Sequence, residues 1–244
     1  MNKRIMEAFI TGFGWVSKES MGHTGCIQHF PPNTILPGIK GKDILDRPHK
    51  PFGRMDAFSK LGFAAIAFAM KDAGIKKEDE KKNVSMIVST VTGCLETDIT
   101  FQETISKKLP SPAIFAYTLA SCFLGEACIY FGLIGESFVI DEAKTNGLEG
   151  LFMALEIIES GVSDVVLCGV CNSDIETINT NSHTIKPGSL FFVIEKKCLH
   201  SYGTIQSTSL ENFYYQNNVR ITDLYELAQK CSNREIQPFK GPSI

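Results

Sequence analysis

The sequence predicts one layered domain of the α/β class. β-branched apolar segments alternate with helical segments along the chain, and Gly- or Pro-containing breakers separate them. The segment at 83–93, NVSMIVSTVTG, is apolar almost throughout, which is typical of a strand covered on both faces of a sheet. The chain has 244 residues, enough for one large domain or two small ones.

Each predicted element follows from a periodicity or a breaker. The helix at 55–74 has Asp56 to cap its start and Gly74 to end it, and its apolar residues on nearly all sides predict burial. From 145 to 160, apolar residues recur at helical spacing until Gly161. In chain order we predict a strand at 5–16, an irregular segment at 20–54, a helix at 55–74, a strand at 83–93, helices at 95–108 and 113–133, a strand at 137–141, a helix at 145–160, strands at 163–170, 187–196 and 202–211, and a helix at 221–232 capped by Thr222 or Asp223, followed by a loose tail.

Composition narrows the class of function. Hydrophobic residues make up 43% and charged residues 21% of the chain, and the net charge of −3 offers no basic field for nucleic acid. No apolar run is long enough to span a membrane, and the N-terminus lacks a signal-peptide cleavage pattern. The glycines at 12–14 are too few for a phosphate-binding loop. We therefore expect a cytoplasmic protein that binds no nucleic acid and no cofactor.

The segment from Gly135 to Gly150, GESFVIDEAKTNGLEG, has the pattern of a strand, a tight turn and the start of an amphipathic helix. Many enzymes mount a nucleophile in this shape. Lys144 stands at the turn, where a helix N-terminus disfavours an exposed positive charge by about 0.3–1 kcal/mol. A desolvated lysine can act as a nucleophile. The alternatives are a lysine that reaches the surface or one that pairs with Asp141 or Glu142.

The eight cysteines are the other candidate nucleophiles, and most lie in apolar contexts typical of small buried residues in a reducing compartment. Cys94 starts the helix at 95–108, so by helix dipole alone it is the best-placed thiolate. Its alternative role is that of a small buried residue. Cys122 and Cys128 fall inside the predicted helix at 113–133, away from a helix N-terminus.

Cys168 and Cys171 form a Cys-Gly-Val-Cys at the end of a predicted strand. No second pair is spaced to complete a structural zinc site, and no helix follows for a thioredoxin-type site. Core packing is therefore the favoured interpretation, with a metal or redox protein as the alternative.

Six phrases occur in one order, namely ITGFGWVS, RMDAFSKLGFAAIAFAMKDAG, a strand ending in STVTG, TLASCFLGEACIYFGLIGESFVID, GLFMALEIIESGVSDVVLCGV and GSLFFVIEK. In order and spacing they resemble the N-terminal half of the β-ketoacyl synthases of fatty-acid and polyketide synthesis, from about residue 3 to 210. The resemblance implies a thiolase-like half-fold, with a mixed, mostly parallel sheet and helices on both faces. It implies a β-ketoacyl synthase-like N-terminal domain at 1–212, followed by a C-terminal helix and tail at 213–244.

Two departures from the family pattern bear on function. In the catalytic family, the strand of this segment leads to a cysteine at the N-terminus of a buried helix, and Lys144 stands in that position here. The family's two histidines, which help to decarboxylate the malonyl donor, lie in a C-terminal half that has no counterpart in this sequence. An ammonium is not an acyl-accepting thiol, so the resemblance implies a chain without condensation chemistry.

The resemblance thus implies a non-catalytic, ketosynthase-like subunit, similar to the chain-length factors of type II polyketide and aryl-polyene systems. Such a subunit pairs with a full-length β-ketoacyl synthase that takes up acyl carrier protein, and a homodimer is the other expected assembly. A half-fold would also expose the apolar face that its own C-terminal half covers. The alternative is an acyltransferase or malonyl-thioester decarboxylase that uses Lys144 or Cys94.

The family's dimer contacts carry over to two regions of this sequence, 113–133 and 163–170. Within the first region, Phe115, Cys122 and Phe123 are the predicted interface residues.

Overall fold

One mixed β-sheet joins nearly all strands of the protein, whose computed structural model describes residues 5–31, 35–76, 80–142, 147–174, 186–216, 218–233 and 237–238. The strands are β1 (Met6–Val16), β2 (Ser20–His23), β3 (Cys26–His29), β4 (Val84–Thr90), β5 (Ser137–Asp141), β6 (Val165–Asn172), β7 (Gly188–Glu195), β8 (His200–Ser201), β9 (Gly203–Ser209), β10 (Asn212–Tyr215), β11 (Val219–Ile221) and β12 (Gln237–Pro238). The helices are α1 (Gly41–Ile44), a 3₁₀ helix (Lys50–Arg54), α2 (Ala57–Asp72), α3 (Leu95–Ser106), α4 (Pro112–Phe115), α5 (Cys122–Phe131), α6 (Leu148–Ser160) and α7 (Leu224–Ser232).

The main sheet has the strand order β11-β10-β9-β1-β7-β6-β4-β5, with the hairpin of β2 and β3 attached to β1. Strand β4 pairs parallel with both β5 and β6, while the other neighbours in the sheet pair antiparallel. The α/β thiolase-like class, with a mixed sheet and helices on both faces, is confirmed. Among the described residues, two of the nine strand pairs of this sheet are parallel, which is a smaller share than predicted. Short connections permit only antiparallel pairing between β1, β2 and β3 and between β9, β10 and β11.

Helix α2 covers one face of the sheet. Asp56 caps it by accepting a hydrogen bond from the Ser59 N–H at 2.9 Å. Every residue from 61 to 70 is buried, because α2 packs on β1 and β7 on one side and on α5 on the other. The predicted buried helix is therefore confirmed, with the predicted cap.

Helices α6 and α7 share a second apolar core on the opposite face of the sheet. Asp223 caps α7 by accepting from the Glu226 N–H at 2.7 Å. Phe213 on β10 and Leu224 and Leu227 on α7 are fully buried in this core. Residues on both sides of position 212 thus contribute to this core, and the division into a domain at 1–212 and a C-terminal helix and tail at 213–244 stays a prediction.

The predicted single helix at 113–133 is wrong, because α4 and α5 are separate helices joined by the turns at 116–121. Tyr117 is buried within these turns, and its hydroxyl donates to Glu126 at 3.5 Å. The Thr118 hydroxyl donates to the Phe115 carbonyl at 2.9 Å, which is the local competition by which hydroxyl side chains interrupt helices.

Two further regions differ from the prediction. The segment at 20–54 contains the β2–β3 hairpin as well as irregular chain, and β12 in the predicted loose tail pairs with β8.

None of the helices in the described ranges combines the length and hydropathy needed to cross a bilayer.

A buried carboxylate at the end of α2 ties the β2–β3 turn to the sheet. The side chain of Asp72 is 3% exposed and accepts hydrogen bonds from the Phe13 N–H at 3.0 Å, the Tyr202 hydroxyl at 2.9 Å and the Thr24 hydroxyl at 2.5 Å. His23 Nδ1 lies 3.2 Å from the same carboxylate. A buried carboxylate with several donors is strongly held, so this cluster fixes the N-terminal hairpin.

Candidate functional site

The candidate site lies where the parallel strands β4, β5 and β6 end and α6 begins. The carboxyl ends of parallel strands meet at one edge of a sheet, where α/β proteins commonly bind ligands. Thr90, Asp141 and Asn172 are the last residues of the three strands. The segment GESFVIDEAKTNGLEG thus contributes one of these strand ends and the first turn of α6, as its pattern predicts.

Glu142 is the buried acid at this edge. The residue comes directly after β5 in the chain and is only 2% exposed. Glu142 Oε1 accepts hydrogen bonds from the Gly147 N–H at 3.0 Å and from the Glu149 N–H at 3.3 Å. The carboxyl group therefore satisfies N–H groups that the first turn of α6 would otherwise leave without an intrahelical acceptor.

The other oxygen of the same carboxyl group has a different environment. Glu142 Oε2 and the nearby Ser89 Oγ are both buried, and neither reaches hydrogen-bond geometry with a partner among the described residues. Burial raises the pKa of Glu142, while the nearby Ser89 hydroxyl and the N–H groups of Glu149 and Gly147 act in the opposite direction. The net shift is upward because desolvation outweighs the stabilisation of the charged form.

The ends of β4 and β6 are joined by side-chain hydrogen bonds. Asn172 Oδ1 accepts from the Val91 N–H at 2.9 Å, and the Thr90 hydroxyl accepts from the Gly93 N–H at 2.8 Å. The Thr92 hydroxyl accepts from the Ser173 N–H at 2.8 Å. These side chains accept hydrogen bonds from backbone N–H groups, so they hold the turns after β4 and β6 in place at this edge of the sheet.

The predicted site residue Lys144 falls in the segment 143–146, which lies outside the described residues. The described residues on either side of this segment are Glu142 and Gly147. Acylation or ion pairing of Lys144 therefore remains a prediction.

Cys94 is the N-cap residue of α3, as the sequence predicts. Its sulfur lies 3.7–3.8 Å from the two carboxylate oxygens of Asp98. Burial, together with the negative charges of Asp98 and Asp56, raises the pKa of the Cys94 thiol to about 12. Burial, and after it the nearby acids, therefore act against the helix N-terminus at this sulfur and favour the neutral thiol, while a reactive Cys94 stays a prediction.

Cys122 is the first residue of α5, so its predicted place inside a long helix is wrong. Its Sγ donates to the Ala116 carbonyl at 2.9 Å. Burial raises the pKa of this thiol as well, with smaller contributions from the charges of Asp56 and Glu126. A helix N-terminus alone thus does not make Cys122 a nucleophile.

Cys168 and Cys171 are both fully buried in β6 and belong to the cores on opposite faces of the sheet. Their side chains therefore point away from each other, as residues three apart in a strand must. Burial raises the pKa of both thiols. The favoured interpretation of this pair as core packing agrees with these positions.

The three predicted interface residues differ in accessibility. Phe115 is 60% exposed and Cys122 is half-buried, whereas Phe123 is fully buried between α2 and the sheet. Phe123 cannot contact a partner in this structure, because its ring packs against Phe58 and Phe191. The region at 163–170 is also unavailable for most of its length, because β6 lies between β7 and β4.

Exposed apolar side chains concentrate elsewhere, in the segment 95–138. On α3, α4 and the adjoining turns, and on α5, β5 and their connection, eight large apolar residues are 38–77% exposed: Ile99, Ile105, Leu109, Phe115, Leu119, Ile129, Ile134 and Phe138. Helix α3 buries a single residue, Thr97, on its whole length. Three of these eight, Phe115, Leu119 and Ile129, lie in the region 113–133 that was predicted to form an interface, and Phe115 is the one named there as a contact residue. The apolar residues on α3 were visible in the sequence but were not predicted to lie at an interface.

Sequence analysis also missed the role of Glu142, which it considered only as an ion partner for Lys144. The available signal was an acid just before a predicted helix, since carboxylates favour helix N-termini. Which N–H groups the acid contacts depends on the turn at Gly147, and no local pattern specifies that.

Comparison with known proteins gives a family match and several proteins of similar sequence or fold. Residues 43–184 match the family described as "Beta-ketoacyl synthase, N-terminal domain". The 3-oxoacyl-[acyl-carrier-protein] synthase 2 of Vibrio cholerae serotype O1 is 29% identical over 136 residues, which are 54% of this chain and 33% of that protein. The chain thus spans about a third of the length of this curated relative.

Two solved structures share the fold. The ishigamide ketosynthase/chain length factor superposes with a TM-score of 0.65 at 16% identity, covering 83% of this chain and 62% of that chain. A ketosynthase in complex with its chain length factor from Xenorhabdus doucetiae superposes with a TM-score of 0.57 at 15% identity, covering 80% of this chain and 81% of that chain.

Proposed function

The chain belongs to the β-ketoacyl synthase N-terminal domain family, and from that premise we propose that it is a non-catalytic subunit of the chain-length-factor type. In this proposal it pairs with a full-length β-ketoacyl synthase in fatty-acid or polyketide biosynthesis of the aryl-polyene kind. The synthase in turn takes up acyl carrier protein.

The chemistry of the candidate site supports a role without catalysis. The N–H groups of Gly147 and Glu149 are engaged by the Glu142 carboxyl group. The pKa of the Cys94 thiol is raised by burial to about 12, and the pKa of the Cys122 thiol is also raised by burial. A condensing enzyme needs a thiolate at neutral pH, and neither cysteine provides one.

The observation that carries the proposal is the distribution of exposed apolar side chains. The segment 95–138 holds eight of the fifteen exposed large apolar residues of the described chain. Scattered exposed apolar residues need no explanation, but a concentration in one segment is typical of a protein interface. These eight residues lie on α3, α4, α5, β5 and the connections between them, whereas α6 and α7 cover the second core.

The outer edge of β5 supports a partner at the same segment. β5 is the last strand of the sheet, and no strand among the described residues pairs with its outer side. The Glu136 carbonyl and the Glu142 N–H face β4, so the alternation of a strand directs the N–H groups of Ser137, Val139 and Asp141 outwards. An open edge with apolar neighbours is a template for pairing with another chain.

A homologous ketosynthase is the partner that fits both features. It would present an edge and apolar helices of the same architecture, which can complement β5 and the segment 95–138. The solved structures of similar fold include a ketosynthase in complex with its chain length factor, and this likeness supports the choice.

The test is co-elution of this chain with a full-length β-ketoacyl synthase from the same genome, measured by size-exclusion chromatography with light scattering. We expect a one-to-one complex at micromolar concentration. Ile129→Glu should abolish co-elution, because residue 129 is 77% exposed within the segment 95–138. Leu199→Glu is the matched control, because Leu199 is 81% exposed outside that segment.

Three outcomes would contradict the proposal. They are a failure of the two chains to co-elute, a homodimer that persists in place of the heterodimer, and equal effects of Ile129→Glu and Leu199→Glu.

Independent activity is tested by measuring the intact mass of the protein after incubation with acyl and malonyl thioesters. An acyl adduct that disappears in Lys144→Ala or Cys94→Ala would establish an acyltransferase or decarboxylase instead.

A further inference from the structure

A cavity of about 310 Å³ lies at the C-terminal end of α2, between that helix, the end of α5 and the chain that follows α1. This volume is within the range of small-molecule pockets. The floor of the cavity is apolar, because it consists of Ile44, Ala67, Met70 and Phe131, which are 1–7% exposed. Such a floor favours an apolar ligand group, since it returns no hydrogen bonds to a polar one.

The length of α2 separates this cavity from the candidate site at the strand ends. The helix has 16 residues and is therefore about 24 Å long. Asp56 caps the end of α2 near the candidate site, where its carboxylate accepts a hydrogen bond from the Thr97 hydroxyl of α3. The cavity lies at the other end of the helix, so it is a separate feature of the molecule.

The turn at the end of α2 creates the open space. Gly74 has a φ of +70°, which reverses the chain, and the Ile75 N–H then donates to the Met70 carbonyl at 2.9 Å. The Gly74 N–H donates to the Lys71 carbonyl at 3.2 Å, so both of these helix-end acceptors are engaged. Nothing lies within 4 Å of a Cβ built on Gly74. The turn thus leaves room beside the helix end without leaving these carbonyl groups open to a ligand.

The mouth of the cavity is positively charged. The described residues that line it include the cations Arg47, Lys71 and Lys76 and one carboxylate, Asp46, and all four are exposed. Lys71 Nζ lies 3.1 Å from Asp46 Oδ1, with the two side chains 47% and 83% exposed. An ion pair this exposed contributes little to stability. Asp46 therefore marks a place where a carboxylate is accepted, and another carboxylate can displace it at little cost.

Tyr130 holds Arg47 at this mouth. The Tyr130 hydroxyl donates to the Arg47 carbonyl at 3.0 Å and accepts from the Arg47 N–H at 3.3 Å. The phenol in the cavity wall is thus engaged with the backbone both as a donor and as an acceptor. A polar ligand group is therefore matched by the cations at the mouth, and an apolar one by the floor.

We propose that this cavity binds a medium-chain fatty acid, with its alkyl chain on the apolar floor and its carboxylate at Lys71 and Arg47, in place of the Asp46 carboxylate. An apolar floor with cations at its entrance complements an amphipathic monoanion, because each part of the ligand meets a surface of matching polarity. The site binds its ligand without a partner chain, so the inference does not depend on pairing with a ketosynthase.

The test is isothermal titration calorimetry of the full chain with sodium octanoate, and with 1-octanol as the uncharged probe. We expect one octanoate per chain, with 1-octanol bound about tenfold more weakly, because it lacks the charge that Lys71 and Arg47 recognise. Arg47→Gln combined with Lys71→Gln should weaken octanoate binding about tenfold. Asp46→Asn should tighten it about threefold, because it removes the competing carboxylate.

Lys196→Gln is the matched control and should leave octanoate affinity unchanged. Lys196 is 43% exposed and lies 3.9 Å from the carboxylate of Asp164, which is 77% exposed, so it resembles Lys71 but lies outside the cavity. No binding of octanoate at millimolar concentration would overturn the inference, as would equal affinities for octanoate and 1-octanol. Equal losses in the double variant and in Lys196→Gln would also overturn it, because they would place the ligand elsewhere.

Amide hydrogen exchange of the wild-type chain locates the ligand even if the double variant does not fold. Octanoate should slow exchange at 70–76 and 130–131, which surround the cavity, and 1-octanol at the same concentration should slow it less. Slowing confined to other segments would refute the site.

Discussion

The ring of Phe123 packs so closely on Gly62 that a Cβ at position 62 would lie 2.4 Å from Phe123 Cε2. The Phe123 ring of α5 thus packs directly on the backbone of α2, because Gly62 has no side chain. The close approach lets the Phe123 ring reach Phe58 and Phe191, at centroid distances of 5.5 and 6.2 Å.

Gly62→Ala should therefore destabilise the protein by about 1–3 kcal/mol, as overpacked cores do. The free energy of unfolding in urea measures this effect. Gly125→Ala on α5 is the matched control, because nothing lies within 4 Å of a Cβ built there. The control should gain about 0.5–1 kcal/mol from helix propensity. A loss of equal size in both variants would refute the packing argument.

The two phenylalanines predicted at the interface should respond differently to truncation. Phe123→Ala should cost about 3–5 kcal/mol of stability, because the ring is fully buried. Phe115→Ala should cost less than about 1 kcal/mol, since Phe115 is largely exposed, and should weaken binding to the ketosynthase. Urea unfolding and titration of the complex separate the two effects. Loss of stability in Phe115→Ala as large as in Phe123→Ala would contradict this division.

The cluster around Asp72 gives a third prediction. Tyr202 is 2% exposed, and burial raises the pKa of its phenol, so at neutral pH the hydroxyl donates to Asp72 at 2.9 Å. Tyr202→Phe should cost about 1.5–3 kcal/mol, because it removes a donor to a buried charged group while keeping the ring. Thermal unfolding measures the loss. Tyr214→Phe on β10, a half-buried tyrosine of the same sheet, should change stability much less.

Glu142 gives the stability a defined pH dependence. Its carboxyl pKa is raised in the folded state, chiefly by burial, so the folded protein binds this proton more tightly than the unfolded chain. The stabilisation is therefore present below the unfolded pKa and is lost as the pH rises through the folded pKa. The loss amounts to about 1.4 kcal/mol for each unit by which the folded pKa exceeds the unfolded one.

Glu142→Gln should remove this dependence, because an amide does not titrate. Unfolding curves of both proteins from pH 4 to pH 8 provide the measurement. The variant should become more stable relative to wild type as the pH increases. Parallel curves, or a relative gain by wild type at high pH, would show that the sign is wrong.

The Cys94 thiol should react slowly with alkylating reagents, although it lies at a helix N-terminus. With a pKa of about 12, its thiolate fraction at pH 7.5 is on the order of 10⁻⁴ or less. Iodoacetamide should modify the exposed Cys26 much faster than Cys94, as peptide mass mapping will report. Asp98→Asn should accelerate alkylation of Cys94, because it removes one of the negative charges that raise the pKa. Faster labelling of Cys94 than of Cys26 would reverse this interpretation.

The sequence determined the features that depend on neighbouring residues. Apolar β-branched runs specified β4 and β6, and Asp56 and Asp223 marked the starts of α2 and α7. These signals are local, because a strand face and a helix cap each involve only a few adjacent residues. The order of six such phrases was enough to identify the family, and the lysine at position 144 was enough to exclude a cysteine there.

The tertiary structure decided what depends on residues far apart in the chain. Burial of Tyr117 accompanies the break between α4 and α5 that makes Cys122 the first residue of a helix. Burial and the acids beside Cys94 favour its neutral thiol, and the packing of Leu224 and Val170 around Gly147 directs the α6 N–H groups onto Glu142. Desolvation and close packing are properties of the folded neighbourhood, so no pattern in the sequence of one segment specifies them.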